Sequence, residues 1–152
     1  MPSHYAGPAT EVEALSAFIN LMRASDSVAG VLQTDMTRND LTPSQFGVLE
    51  TLLHRGPLFQ GELSQKLLRC TGSITSVVAG LERKGMVERR RESQDKRYVR
   101  VSLTAKGRKA IDKVFPEHVR AVVRLFGSLT RNETGELRRV CAKLGKFAQQ
   151  RR

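Results

Sequence analysis

The sequence predicts a mainly α-helical fold with a small β-hairpin, on three observations. Apolar residues recur at three- and four-residue steps over most of the chain, a two-residue step replaces them in one short run near residue 100, and capping residues punctuate the helical stretches. The chain has 152 residues. A domain of that size buries roughly 68–70% of the surface its unfolded form exposes, so it needs no disulfide or metal staple.

From Glu11 to about Gln33, the residues Val12, Leu15, Phe18, Ile19, Met22, Ala29 and Leu32 make one stripe of a long first helix. Thr37 to Leu41 is polar and turn-like. Thr42-Pro43-Ser44-Gln45 combines a capping Thr, a Pro at the first helical position and a Gln able to close a capping box. A second helix therefore starts there, with Phe46, Leu49 and Leu53 inward. It stops at His54-Arg55-Gly56-Pro57, where Gly takes a left-handed cap and Pro cannot continue the helix. Residues 60–68 predict a short helix with Leu63 and Leu67 buried, and Arg69-Cys70-Thr71-Gly72 a turn. Ser73 to Lys84 is helical again on Ile74, Val77, Val78 and Leu81, with Gly85 as its C-cap. Gly80 inside that helix costs about 1 kcal/mol relative to Ala, which points to close packing or a backbone approach at that position. Two short helices joined by a tight turn make a helix-turn-helix.

Val99, Val101 and Leu103 alternate with Tyr98, Arg100 and Ser102, so residues 87–103 read as a hairpin with a polar, basic tip. Thr104 is placed to cap a helix carrying Ile111, Val114, Phe115, Val119, Val122, Leu125 and Phe126, which Pro116 kinks or deprives of one hydrogen bond. Thr130-Arg131-Asn132-Glu133 is a capping box for a last helix whose stripe is Leu137, Val140, Cys141, Leu144 and Phe147.

Lys and Arg number 26 against 15 Asp and Glu, a formal +11 at pH 7. The excess is uneven: residues 1–57 are net −3, residues 58–110 net +8 and residues 111–152 net +6. A basic middle and tail favour an anionic polymer as partner; the plainer alternative is a basic surface kept for solubility. No run of 18 apolar residues occurs and the N-terminal MPSHYAGPATEVEA has no apolar core, so a soluble, cytoplasmic protein without membrane association is expected. Cys70 and Cys141 make no disulfide framework, and no C-x-x-C or H-x-x-x-H pair offers a zinc site, so no metal or other cofactor is expected. No G-x-S-x-G, Walker or G-x-G-x-x-G motif is present, and His4, His54 and His118 pair with no nucleophile, which argues against an enzyme.

The block from Leu41 to Leu103 has the length of a winged helix-turn-helix, and the outer helices are surplus to it. Their apolar stripes exceed what so small a core covers. Two helix-turn-helix heads reading half-sites about 34 Å apart also need a rigid spacer. The expected architecture is a winged helix-turn-helix DNA-binding domain over residues 37–104, flanked by a helical dimerisation region over 1–36 and 105–152, in a homodimer.

The stretch Leu41-Thr42-Pro43-Ser44-Gln45-Phe46-Gly47-Val48-Leu49 is one of three that carry a resemblance. The others are the helix exit Leu81-Glu82-Arg83-Lys84-Gly85-Met86-Val87 and the run from Asp95-Lys96-Arg97-Tyr98 through Leu103-Thr104-Ala105-Lys106-Gly107. Together they resemble the MarR family of bacterial transcription regulators over most of the chain. The resemblance implies a dimeric winged-helix repressor of double-stranded DNA, released from its operator by a small phenolic or other lipophilic ligand, or by thiol oxidation. It also implies that Arg97 is the wing arginine reaching the minor groove and that Asp95 holds the wing tip in shape. The family commonly has charged side chains around positions 76, 79 and 80, where this chain has Ser76, Ala79 and Gly80.

In a helix-turn-helix the N-terminal residues of the second helix meet base edges. Thr71, Ser73, Thr75 and Ser76, small and hydroxylated, are the candidate contacts there, with plain helix capping as the alternative for Thr71 and Ser73. The hairpin concentrates Arg89, Arg90, Arg91, Lys96, Arg97 and Arg100. A narrow minor groove attracts arginine, so Arg90, Lys96 and Arg97, with Asp95, are the candidate wing residues; the alternative is a solvated charge run guarding an edge strand. Arg83 and Lys84 suit the helix dipole as well as they suit phosphate. Cys70, beside Arg69 at a helix N-terminus, is a redox-switch candidate against a packing role, and Cys141 reads as core. By analogy an effector would lodge between the dimer helices and the head, with His54, His118 and Arg124 as candidate polar contacts and plain surface or capping roles as the alternative for each. Two rival functions remain beside a ligand-released repressor and a thiol-sensing one: a nonspecific DNA-binding winged helix and a protein-interaction module.

Overall fold

A computed structural model of the chain describes residues 5–37, 39–67, 73–91 and 98–151. Its elements, in order, are α1 (Ala9–Thr37), α2 (Pro43–Arg55), β1 (Leu58–Phe59), α3 (Gln60–Lys66), α4 (Ile74–Arg83), β2 (Val87–Arg91), β3 (Val99–Leu103), α5 (Ala105–Phe126) and α6 (Arg131–Gln149). They fall into two compact units, one running to His118 and the other beginning at Val119, so that the division lies within α5.

The first unit is built on apolar side chains drawn from nearly every element. Val48 and Leu49 of α2, Leu63 of α3, Val78 and Leu81 of α4, Val101 of β3 and Ile111 of α5 are all fully buried. Each is worth about 1.5–3 kcal/mol relative to exposure. The expected α2 cap is present in full: Gln45 N donates to Thr42 Oγ1 at 3.1 Å, and Thr42 N donates to Gln45 Oε1 at 3.2 Å. At the other end Gly56 takes φ 75° as its N–H closes on the Leu52 carbonyl. α1 extends past Gln33 to Thr37, and of its apolar residues only Met36 enters the core cluster as a buried side chain, whereas Phe18, Met22 and Val31 are exposed.

The hairpin is part of a three-stranded antiparallel sheet in the order β1-β3-β2. β1 was absent from the expectation because two residues, Leu58 and Phe59, are too few to show any period; only their pairing with Val101 and Arg100 reveals a strand.

A dense junction fixes the sheet to its helices. The Gly85 and Met86 N–H groups close α4 on the Glu82 and Leu81 carbonyls at 2.8 and 2.9 Å, with Gly85 at φ 69°, the left-handed geometry that Gly adopts freely. Thr104 then binds this exit twice, donating its N–H to the Met86 carbonyl at 3.1 Å and its hydroxyl to the Gly85 carbonyl at 2.7 Å. The same Thr104 Oγ1 accepts from Gly107 N at 3.0 Å and so caps α5. Gly107 is obligatory here: a Cβ on it would lie 1.8 Å from the Met86 carbonyl oxygen.

In the second unit, α6 starts from the expected box, with Glu133 N donating to Thr130 Oγ1 at 3.3 Å and Thr130 N donating to Glu133 Oε2 at 2.7 Å. The backbone N–H and hydroxyl of Thr130 hold the Glu133 carboxyl below its usual range. No residue of α6 is buried. Cys141 therefore corrects the sequence reading: it is exposed, as are Leu137, Val140, Leu144 and Phe147 on the same stripe.

Gly107→Ala is expected to cost about 3 kcal/mol, since a backbone carbonyl cannot step aside as a side chain can. Gly61→Ala, with nothing within 4 Å of the new methyl, should stay within about 0.5 kcal/mol of the parent. Denaturant unfolding of the two variants checks this, and equal stabilities would contradict the junction.

Candidate nucleic-acid interface

α3 and α4 form the helix-turn-helix, and the apolar face of α4 is committed to the core: Val78 and Leu81 are buried, while Ile74 and Val77 pack against the cluster. That leaves Ser73, Thr75 and Ser76 exposed along the opposite edge of its first turns. Ser73 caps the helix, its Oγ accepting from Thr75 N at 3.3 Å. Thr75 Oγ1 accepts from Gln60 Nε2 at 2.7 Å, a bond that fixes the first helix of the motif against the second. Thr71 and Cys70 lie outside the described residues.

Gly80 has the packing reason its presence called for. A Cβ there would stand 3.2 Å from Gln45 Nε2, so the end of this α2 side chain lies against α4 at this point. Lys84, just past α4, is engaged by the turn that precedes α2. Its Nζ donates to the Asp40 carbonyl, sits 3.1 Å from Asp40 Oδ2 and reaches Gln45 Oε1 at 3.4 Å. Asp40 takes φ 56° in that turn. Arg83 is exposed at the end of α4.

The register of β2 against β3 sorts the hairpin's arginines by face. Arg89 is opposite Val101, Arg90 opposite Arg100 and Arg91 opposite Val99. Cross-strand partners share a face, and neighbours along a strand alternate. Arg89 and Arg91 are therefore on the side of buried Val101, facing α4, and Arg90 and Arg100 are on the outer side. The bonds agree: Arg89 Nε donates to Glu82 Oε2 of α4 at 2.8 Å, and its Nη2 donates to the same oxygen. On the outer side two like charges stand directly opposite each other, and each has a local partner. Arg90 Nη2 is 3.4 Å from Glu88 Oε2, and the Arg100 guanidinium lies 4.4 Å above the Phe59 ring, which in turn packs on Tyr98. Asp95, Lys96 and Arg97 lie outside the described residues.

The Glu82–Arg89 tie went unread in the sequence because Arg89 stands in a run of three arginines that reads as undifferentiated charge. Only the strand register distinguishes its side from that of Arg90. Hydrogen bonding from Arg89 holds the Glu82 carboxyl below its usual range, against a smaller opposing effect of desolvation.

A cavity of about 740 Å³ lies beside this head, between α1 and α2, lined among others by Leu32, Met36, Phe46, Glu50, His54 and His118. The His118 ring packs on Phe46 at 4.7 Å, and its Nδ1 is buried with no hydrogen-bond partner among the described residues. His54 packs edge-on to Phe115 at 4.8 Å. Of the three candidate polar contacts for an effector, His54 and His118 line this cavity, and Arg124 belongs to the second unit. No group of three or more His, Cys, Asp or Glu side chains among the described residues is placed to hold a metal ion.

Because the folded pKa of Glu82 is depressed, its contribution to holding β2 on α4 is present above the unfolded carboxylate range and is lost as pH falls through the lowered value. The Glu82 carboxyl carbon, followed by NMR, should titrate below an unfolded reference peptide. A midpoint at or above that reference would contradict the tie.

Comparison with known proteins agrees with this geometry. The MarR family pattern matches residues 41–99, which span α2 through the start of β3. An HTH-type transcriptional regulator of Bacillus subtilis (strain 168), YkoM, is 34% identical over 140 residues, covering 91% of each chain. The HTH-type transcriptional regulator MhqR of the same organism is 30% identical over 138 residues, covering 91% of this chain and 95% of its own. Among solved structures, Bordetella bronchiseptica BpsR, described with the regulation of its DNA binding by 6-hydroxynicotinic acid, superposes with a TM-score of 0.77 at 22% identity, covering 85% of this chain and 98% of its own. With a helix-turn-helix, a three-stranded wing sheet and relatives that are regulators rather than enzymes, the chain belongs to the MarR family of DNA-binding transcription regulators.

Proposed function

We propose that the protein is a homodimeric, sequence-specific repressor that leaves its operator when a small lipophilic or phenolic ligand occupies the cavity beside α2. The observation that carries this reading is the cavity itself. It borders α2, which packs on the helix-turn-helix, and it combines apolar side chains such as Leu32, Met36 and Phe46 with one buried ring nitrogen, His118 Nδ1, that has no partner among the described residues. A buried polar atom left unsatisfied costs free energy that a hydrogen-bonding ligand would recover. The hydroxylated aromatic acid named for BpsR is of this chemical type.

Repression requires the base-reading edge and the wing to act together. In this reading Ser73, Thr75 and Ser76, with Thr71, meet the major groove, and the wing tip with Asp95, Lys96 and Arg97 meets the minor groove. The dimer is supported by the uncovered apolar residues of α1 and of α6, such as Phe18 at 58% and Phe147 at 55% exposure. Residues 37–104 then serve as the DNA-binding domain, with 1–36 and 105–152 for dimerisation. The protein works in the cytoplasm where its operator is; no described helix is long and apolar enough to cross a membrane.

Titration against a duplex selected from a random pool and against its scrambled counterpart, at fixed salt, tests the specific reading. Preference for the selected duplex by at least about 10³ is expected, and equal affinities would favour a nonspecific DNA-binding protein. Arg97→Ala should weaken the selected complex and leave thermal stability and the dimer's mass unchanged; unchanged affinity across a salt series would remove the wing assignment. Hydroxylated aromatic acids, including 6-hydroxynicotinic acid, should raise the melting temperature and lower duplex affinity in the parent. If instead peroxide alone releases DNA from the parent and not from Cys70→Ser, the thiol-sensing reading replaces the ligand one.

A further inference from the structure

Adjacent major and minor grooves of a duplex are separated by a single sugar-phosphate backbone. A protein that puts a helix in one groove and a wing in the next must straddle that backbone. In that arrangement the backbone passes between α4 and the wing, and the strand register shows which arginines are on the face of the sheet toward α4. Arg89 and Arg91 are, and Arg90 is not.

The two inner arginines differ in what they already hold. Arg89 is closed on Glu82 through both Nε and Nη2, so its charge is spent on cancelling a carboxylate that would otherwise repel phosphate. Arg91 lies one rung further along the same face, about 7 Å toward the tip by strand geometry, at the end of β2, and is exposed. On the outer face Arg90 lies beside Glu88 and across from Arg100. We infer that Arg91 is a phosphate-binding residue of the cleft between the recognition helix and the wing, with the Glu82–Arg89 pair as the positioning element that sets the width of that cleft. This moves the strand's DNA contact from Arg90 to its neighbour.

The inference rests on the reading that α4 and the wing engage neighbouring grooves, and the test separates the two. A labelled duplex of random sequence, titrated by anisotropy between about 50 and 200 mM salt, reports the number of phosphates neutralised through the slope of log K on log salt. Arg91→Ala is expected to flatten that slope by about 0.9 for each Arg91 engaged and to weaken binding roughly 3- to 10-fold, alike on random and selected duplexes. Arg91→Lys should restore the slope, and Arg90→Ala should change it by less than half as much. Both positions are exposed strand residues, so melting temperatures should match the parent. An unchanged slope for Arg91→Ala, or equal losses for Arg90→Ala and Arg91→Ala, overturns the assignment while the DNA-binding reading stands. A parent without salt-dependent duplex affinity overturns both.

Discussion

The junction of Gly85, Met86, Thr104 and Gly107 is the constraint on which the rest of the DNA-binding head depends. One threonine closes the strand β3, binds the exit of the recognition helix and caps α5, using its N–H, its hydroxyl hydrogen and its hydroxyl oxygen in turn. The approach is so close that only a glycine fits at position 107. Lys106 adds a further tie, donating Nζ to the Lys84 carbonyl at 2.7 Å. Recognition helix, wing and α5 are thereby held together at one point, and displacing one of them displaces the others. Lys84 and Gly80 extend the same coupling toward α2, through Asp40 and Gln45. The cavity also borders α2, so in the proposed function ligand contact with Ser44 or Phe46 would act on the helix that supports α4.

The count of 26 Lys and Arg overstates what is free to meet DNA, although pairing leaves the net charge of +11 unchanged. Arg89 pairs with Glu82, Arg90 with Glu88, Lys84 with Asp40, Arg108 with Asp112 and Arg139 with Glu136. Exposed pairs of this kind add only about 0.2–1 kcal/mol each to stability. Their larger consequence is geometric, because each decides which cations remain directed outward. Three consecutive arginines on one strand thus have three different surroundings: an acidic partner on α4, an acidic neighbour on the outer face, and an exposed position on the inner face at the end of β2.

Much of this was legible in the sequence, for reasons that differ by element. The caps at Thr42 and Thr130 and the stop at Gly56 are local: the residues that make the bonds are within a few positions of one another, so spacing alone identifies them. The alternation of Val99, Val101 and Leu103 likewise announces a strand with one buried face. β1 escaped because its two residues carry no period, and the Glu82–Arg89 tie escaped because it joins two elements whose relative register no local pattern encodes. Gly80 was an intermediate case. Its helix penalty signalled that something packs there, but only the fold identifies Gln45 as that neighbour. Cys141 was misread because an apolar stripe states that a face needs cover without stating whether the same chain supplies it.

In the proposed function, recognition helix and wing occupy successive grooves of one duplex, in two copies related by symmetry. Hydroxyl-radical footprinting of the selected duplex tests that most directly. The account predicts protected backbone patches in two symmetric sets whose centres are about one helical turn, 10–10.5 base pairs, or a multiple of it apart. Even protection along the whole duplex, with no helical periodicity and no two-fold symmetry, would contradict it.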